Sequence, residues 1–225
     1  MTLSIVMPVL NEAAGIEAAL TALAPLRARG VEVVVADGGS GDGTAALAAP
    51  FADKVIAAPR GRAVQMNAGA AAAHGHVLVF LHADTRLPDN ADFLICDGLA
   101  AGRQWGRFNV RFDGDGDLAL VAMMMNARSR LTGIATGDQA MFMTRDAFEA
   151  AGHFPAIALM EDIAMSAALK HIGRPLCLSA RVTTSGRRWR AQGVVRTILM
   201  MWRLRLAFFL GADPAKLART YGYAG

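Results

Sequence analysis

Apolar residues in the first part of the chain fall into short unbroken runs separated by segments of helical spacing. Residues 3–9 form one run of strand length. Residues 31–36 form a second, in which Val33, Val34 and Val35 are β-branched on both faces. Residues 54–57 make a weaker third run and 77–81 a fourth. Between them, 13–26 and the alanine-rich 61–73 predict helices. Strands apolar on both faces that alternate with helices predict a parallel sheet covered on both sides. After Asp84 the rhythm changes. Strands are expected at 105–112, 139–144 and 175–178, and helices at 118–131 and 160–171. The long apolar stretch 194–210 predicts a helix. With no repeat or linker in view, 1–190 reads as one domain and 191–225 as an apolar, basic helical appendage.

Composition narrows the classes. At 54% hydrophobic and 19% charged, 225 residues suffice for one well-filled core and do not describe a disordered chain. The net charge is +4, and lysine occurs only at Lys54, Lys170 and Lys216, so the basic character is arginine's. Arginine pairs bidentately with phosphate and carboxylate, which suits a nucleotide, a nucleic acid or an anionic lipid alike. Two cysteines without a CxxC pair exclude a disulfide framework and argue against a zinc site built on thiolates. The first eight residues enter a strand directly without a basic leader, so a cytoplasmic location is expected.

Four constellations carry candidate chemistry. Asp37-Gly38-Gly39-Ser40-Gly41-Asp42-Gly43-Thr44 follows the second strand, where ligands sit in parallel sheets. A carboxylate at Asp37 can accept the imide N–H of a pyrimidine, and glycines let the backbone approach. The same loop also fits a plain turn with Asp42 or Thr44 capping a helix. His82-Ala83-Asp84-Thr85 ends the fourth strand, and Asp84 there can ligate Mg²⁺ or Mn²⁺ across two phosphates or merely cap a turn. Glu161-Asp162 opens a helix, where a carboxylate serves as a general base or as dipole compensation. Arg187-Arg188-Trp189 fits a clamp on a diphosphate or a solvated basic turn.

In this order the four constellations resemble the inverting family 2 glycosyltransferases of GT-A fold, over residues 3 to about 189. The resemblance implies a three-layer α/β/α sandwich with a mainly parallel sheet and a C-terminal helical appendage. Met7-Pro8-Val9-Leu10-Asn11-Glu12 is similar to the family's opening strand and first nucleotide loop, implying roles for Pro8, Asn11 and Glu12. Asp37, Gly38 and Gly39 match its uridine loop. Arg62 and Asn67 lie in the segment that resembles the helix against the nucleotide. Asp138 and Gln139 resemble the acceptor-side loop, and Glu161-Asp162 the paired acidic motif whose aspartate, here Asp162, is the base.

Two departures change the expectation. The family's metal motif is Asp-x-Asp, whereas here His82 stands first, leaving Asp84 as the main ligand for Mn²⁺ or Mg²⁺ and His82 as its neighbour. Ser185-Gly186-Arg187-Arg188-Trp189 resembles the Gln-x-x-Arg-Trp motif of processive members without its glutamine, so a single sugar transfer is expected. Arg188 and Trp189 fall to the acceptor or diphosphate side, with Glu161. The partners implied are a nucleotide-sugar donor and an acceptor of unknown identity, lipid-linked in one reading, with no nucleic acid among them. A sugar-phosphate nucleotidyltransferase is the runner-up, but the loop after the first strand lacks its phosphate-gripping cation. A degenerate scaffold is the third reading, and Asp37, Asp84 and Asp162 argue against it.

Residues 193–211 are too charged to span a bilayer, with Arg196, Arg203 and Arg205 among about 20 positions. At about 100° per residue Arg196 and Arg203 share a face while Arg205 lies nearly opposite. An in-plane helix at a membrane surface, on the inner face of the cell membrane, competes with packing against the domain or a second copy in a homo-oligomer.

Overall fold

A computed structural model of the protein describes residues 1–114 and 116–222. Strands β1 (Leu3–Val9), β2 (Glu32–Asp37), β3 (Lys54–Ala57) and β4 (Val77–Phe80) carry the four early apolar runs. They lie in the order β3-β2-β1-β4, all parallel. β5 (Thr85–Arg86), β6 (Trp105–Phe112), β7 (Phe142–Thr144) and β8 (Leu176–Thr184) extend the sheet as β4-β7-β6-β8-β5. β7 is antiparallel to both its neighbours, and β5 is antiparallel to β8, while β6 and β8 are parallel. Six of the eight strands therefore point the same way, and the carboxyl ends of β1, β2 and β4 share one edge.

The β-branched runs are buried on both faces because helices cover both. Ile5, Met7, Val33 and Val35 pack with Ile16 and Leu20 on one side. Val6 and Val34 pack with Met66, Ala70, Leu78 and Phe80 on the other. The helix expected over 13–26 is instead two short ones, α1 (Ile16–Thr21) and α2 (Ala24–Arg27). Pro25, in the first turn of α2, has no N–H to continue the ladder from the preceding turn. α3 (Thr44–Ala48) follows the glycine loop, and α4 (Arg62–Ala72) is the alanine-rich helix.

Further along, α5 (Ala91–Ala100) and α7 (Arg145–Ala150) were not signalled by periodicity, whereas α6 (Ala119–Thr132) and α8 (Glu161–Ile172) fall where expected. The strand expected from 139 begins only at Phe142, because Gly137–Gln139 closes a 3-10 turn and Ala140 is left-handed at φ 46°. β8 runs on to Thr184, well past 178, because its second half pairs with β6 beyond a register shift at Phe108/Asn109.

The segment after 190 is no loose tail. α9 (Arg187–Gln192), α10 (Val194–Phe209) and α11 (Pro214–Tyr221) end the described chain. Leu204, Leu217 and Ala218 form a third apolar cluster with Leu159, Met160 and Ile163 at the start of α8. Met160 caps α8 at φ 72°, a left-handed backbone that costs a bulky residue about 1–3 kcal/mol. Its burial in that cluster is what holds it there.

Candidate active site

The loops that leave β1 and β2 are stitched together. Asn11 takes the left-handed backbone (φ 54°) that asparagine tolerates. Its N–H donates to the Ser40 hydroxyl, and its side-chain carbonyl accepts from Gly41 N at 3.0 Å. The Glu12 N–H donates to Thr44 Oγ1 and the Ala13 N–H to Asp42. Asp37, 7% exposed, accepts from the Gly39 and Ser40 N–H groups and from the Ser40 hydroxyl. Asp42 and Thr44, read in sequence as helix caps, thus also clamp one nucleotide-loop candidate to the other. Pro8 sits within β1 opposite Ala36.

Gln65 was not singled out in the sequence, yet it joins these two strands. Its Nε2 donates to Val9 O at 2.7 Å and to Ala36 O at 2.9 Å, from a fully packed position on α4. Gly38 is required beside it, because a Cβ there would lie 2.9 Å from the Gln65 amide. The signal was a polar side chain between Ala63 and Met66 on the packed face of an alanine-rich helix. Asn67, two residues on, is engaged elsewhere. It exchanges two hydrogen bonds with the Phe154 backbone and so pins the loop before α8.

At the end of β4 the chain turns through His82 to Thr85 with a Thr85 N to His82 O hydrogen bond. Thr85 Oγ1 donates to Asp84 at 3.3 Å and shares a hydroxyl–hydroxyl hydrogen bond with Thr184 Oγ1, which ties the turn to β8. Burial first, then the charge of Asp84 and to a lesser degree Asp42, raises Glu12 above the ordinary carboxylate range, against Arg187 and His82. The ends of β1 and β4 therefore concentrate negative charge, with Arg187 among the charges that offset it.

His82 connects this region to the acceptor-side residues. Its Nδ1 lies 3.7 Å from Asp138, and it fits only because Gly137 has no side chain, whose Cβ would meet the ring at 2.3 Å. Burial would raise Asp138, but His82 and the charges of Arg62 and Arg205 hold it below the usual carboxylate range. Gln139 is fully buried, accepts from Thr136 N and braces the turn rather than facing solvent. Asp162 accepts from Gly137 N at 2.9 Å and Ile163 N at 2.7 Å, one bond to each oxygen. Glu161 behaves differently. It is 3% exposed, ion-paired with Arg62 at 3.2 Å, and raised above its ordinary value chiefly by burial. The pair ties α4 to α8.

The basic triplet is helical, not a turn. Arg188 stacks on the Tyr221 ring at 3.8 Å and donates to the Tyr221 carbonyl. Trp189 packs edge-on against Phe112. Arg190 ion-pairs with Asp113 and Asp117 at 2.9 Å each, anchoring α9 to the approach to α6. A cavity of about 950 Å³ near α6, touching Asn109, Arg111, Met123 and Arg130, contains none of the candidate residues. The candidate residues lie along the strand ends instead.

Asp84 with Glu12 beside it offers hard oxygens for a divalent cation. Among the described residues no three His, Cys, Asp or Glu side chains converge to cage one. Carboxylate oxygens of this kind are the ligands that Mg²⁺ and Mn²⁺ prefer. No helix among the described residues is long and apolar enough to cross a membrane.

A parallel sheet with an inserted antiparallel strand, a glycine loop at the end of β2 and acidic groups at the ends of β4 and the start of α8 define the GT-A class of α/β sandwich. The family model described as Glycosyl transferase family 2 matches residues 4–118, and the chain belongs to that family. No curated protein matches it. Among solved structures it is similar to TarS 1–349 of S. aureus in complex with UDP-GlcNAc, at 16% identity and a TM-score of 0.66, covering 82% of this chain and 58% of that one. The mannosyltransferase PcManGT from Pyrobaculum calidifontis, in complex with GDP-Man and Mn²⁺, gives 23% identity and 0.64, covering 91% and 60%. Glucosyl-3-phosphoglycerate synthase from Mycobacterium tuberculosis, with Mn²⁺, UDP and glucosyl-3-phosphoglycerate, gives 20% and 0.57, covering 81% and 70%. The chain thus spans about three fifths of the first two, and at these identities the likeness shows the fold.

Proposed function

We propose that this protein moves a sugar from a nucleotide-diphosphate sugar to an acceptor hydroxyl, in one inverting displacement assisted by a divalent metal. Family membership supports the reading, as do the nucleotides and metals named for the similar structures. The observation that carries it is the line of groups along one sheet edge, from Asp37 and Asn11 through Glu12 and Asp84 to Asp138 and Asp162.

The base end of the donor lies at Asp37, Gly38 and Gly39, with Pro8 and Asn11 alongside. Mn²⁺ or Mg²⁺, held by Asp84 with Glu12 and His82 nearby, supplies charge stabilisation for the departing diphosphate when bound. Arg187, whose charge acts on Glu12, offers a cation to the diphosphate. Asp162 takes the proton from the acceptor hydroxyl as its oxygen attacks the anomeric carbon. Its backbone bonds fix the carboxylate while lone pairs remain for that proton. Glu161, sunk and paired with Arg62, positions the helix that presents Asp162. The acceptor meets the enzyme at a membrane surface, the inner face of the cell membrane, through the outward side of α10.

The test is release of a nucleoside diphosphate from UDP- and GDP-sugars by the full chain with Mn²⁺, with the anomeric configuration of the product read by NMR. Inorganic pyrophosphate released from a nucleoside triphosphate would favour the nucleotidyltransferase reading, and retention of configuration would overturn the single displacement.

A further inference from the structure

α6 and α10 bring two arginines together beside Asp162. Nε and Nη2 of Arg128 and Nε of Arg205 are shut off from solvent and donate to nothing among the described residues. Neither side chain is in an ion pair among the described residues. Burying guanidinium donors without partners is costly, and two such groups also repel each other. Burial and the charge of Arg205 bring Arg128 down to about 10, against the pull of Asp162 and Asp138, so it stays charged at neutral pH. Arg107, fully buried nearby, adds to the repulsion, but its own donors are bound to Ser129, Asn109 and the Asn126 carbonyl. Asp162 and Asp138 do not close on the arginines, since Asp162 is engaged by backbone N–H groups and Asp138 faces His82.

We infer that Arg128 and Arg205 form the seat of an oxyanion, and that the acceptor of this enzyme carries a phosphate group there. Two forked cations match the charge of a phosphate monoester, about −1.5 to −2 at neutral pH, and its several oxygens can take the orphaned donors. The carboxylates that act on these arginines are Asp162 and Asp138, whereas those that act on Glu12, at the metal end, are Asp84 and Asp42. The seat lies beside Asp162 and Asp138, where an anchored phosphate would hold a hydroxyl of the same molecule against Asp162. The assignment of that phosphate to the acceptor rests on the transferase reading above.

The experiment titrates inorganic phosphate into the full-length protein in EDTA and follows thermal stability, for the native sequence, Arg128→Gln, Arg205→Gln, Arg205→Lys and Asp84→Ala. Phosphate should raise the melting temperature of the native protein and of Asp84→Ala alike. Each glutamine variant should weaken the apparent affinity about tenfold or more, with Arg205→Lys between. Without phosphate the glutamine variants should melt no lower than the native protein, because an unpaired buried charge is gone. An equal phosphate response in all variants, or none in the native protein, would overturn the inference. If that happens while a nucleoside diphosphate still binds with Mn²⁺, the transferase reading stands alone. If phosphate binds as expected but no nucleoside diphosphate does, the acceptor assignment falls together with that reading. Glycerol 3-phosphate and phosphatidylcholine vesicles carrying phosphatidic acid then separate a soluble from a lipid source: the variants should lose affinity for whichever presents the phosphate.

Discussion

At the scale of single residues, two neighbouring carboxylates on α8 have opposite fates. Glu161 turns inward to Arg62, and Asp162 stays half-buried, fixed by two backbone donors. Asp162→Asn keeps the shape and one of those two contacts, since its amide nitrogen cannot accept the other, and removes the proposed base. It should leave donor binding intact and lower turnover by about two to four orders of magnitude, measured as nucleoside diphosphate release. Asp84→Ala should do the reverse. Donor affinity measured by calorimetry should lose its dependence on Mn²⁺, and EDTA should then make no difference. Equal donor affinity in both proteins, with and without EDTA, would remove the metal from the account.

At the scale of elements, the edge where β1 and β2 end depends on a glycine and a glutamine from different parts of the chain. In Gly38→Ala the new methyl displaces the Gln65 amide and strands the carbonyls of Val9 and Ala36. The expected cost is about 1–3 kcal/mol, or roughly 2–4 °C in Tm per kcal/mol for a chain of this size. The other end of β2 carries a pH signature. Burial would raise Glu32, but hydrogen bonds from the His74 N–H, the Ser4 hydroxyl and Lys54 outweigh it and hold the carboxyl at about 2, below the ordinary 4.5. A depressed folded-state value means stability that is present above pH 4.5 and lost as pH falls toward 2. Melting curves of Glu32→Gln should therefore lie below the native protein at pH 7 and converge with it across that acid range. Much of this scaffold was legible beforehand. The strands β1, β2 and β4 announced themselves because burial on both faces leaves unbroken apolar runs, the edge strand β3 less so because it is only partly buried, and α4, α6, α8 and α10 because their spacing is helical. Asp37, Asp84 and Asp162 stood at strand or helix ends, where sequence position implies spatial position. What stayed hidden depends on interactions between distant segments: Gln65 across two strands, the charge of Arg205 acting on Arg128, Asn67 on Phe154, and the second half of β8, whose polar residues are held by pairing with β6.

At the scale of the whole molecule, α10 has two unlike sides. Leu204 and Thr197 are buried, with Met200, Met201, Ala207 and Phe208 against the third cluster, while Val195, Leu199, Trp202, Leu206 and Phe209 are exposed at alternating spacings of four and three. Arg196 and Arg203 flank that outward stripe in solvent, and no Asp or Glu occurs between Asp162 and Asp213. An apolar stripe bordered by arginine suits an anionic bilayer surface. The protein should sediment with vesicles containing phosphatidylglycerol at low salt, less so at high salt, and Trp202→Ser with Leu206→Ser should release it. A protein that stays in the supernatant as a dimer, and becomes a monomer with those substitutions, would instead give the stripe to a second copy. The inward side of the same helix holds Arg205 toward Asp162 and presses Leu204 onto Met160. Because one rigid rod serves both sides, its angular phase is fixed even where its composition is free. The outward residues can drift among apolar types, but a single inserted or deleted residue between Thr197 and Leu204 would swing everything beyond it by about 100°. Arg205 would then turn away from Asp162 and the stripe would break in two, so length is the property of α10 least free to vary.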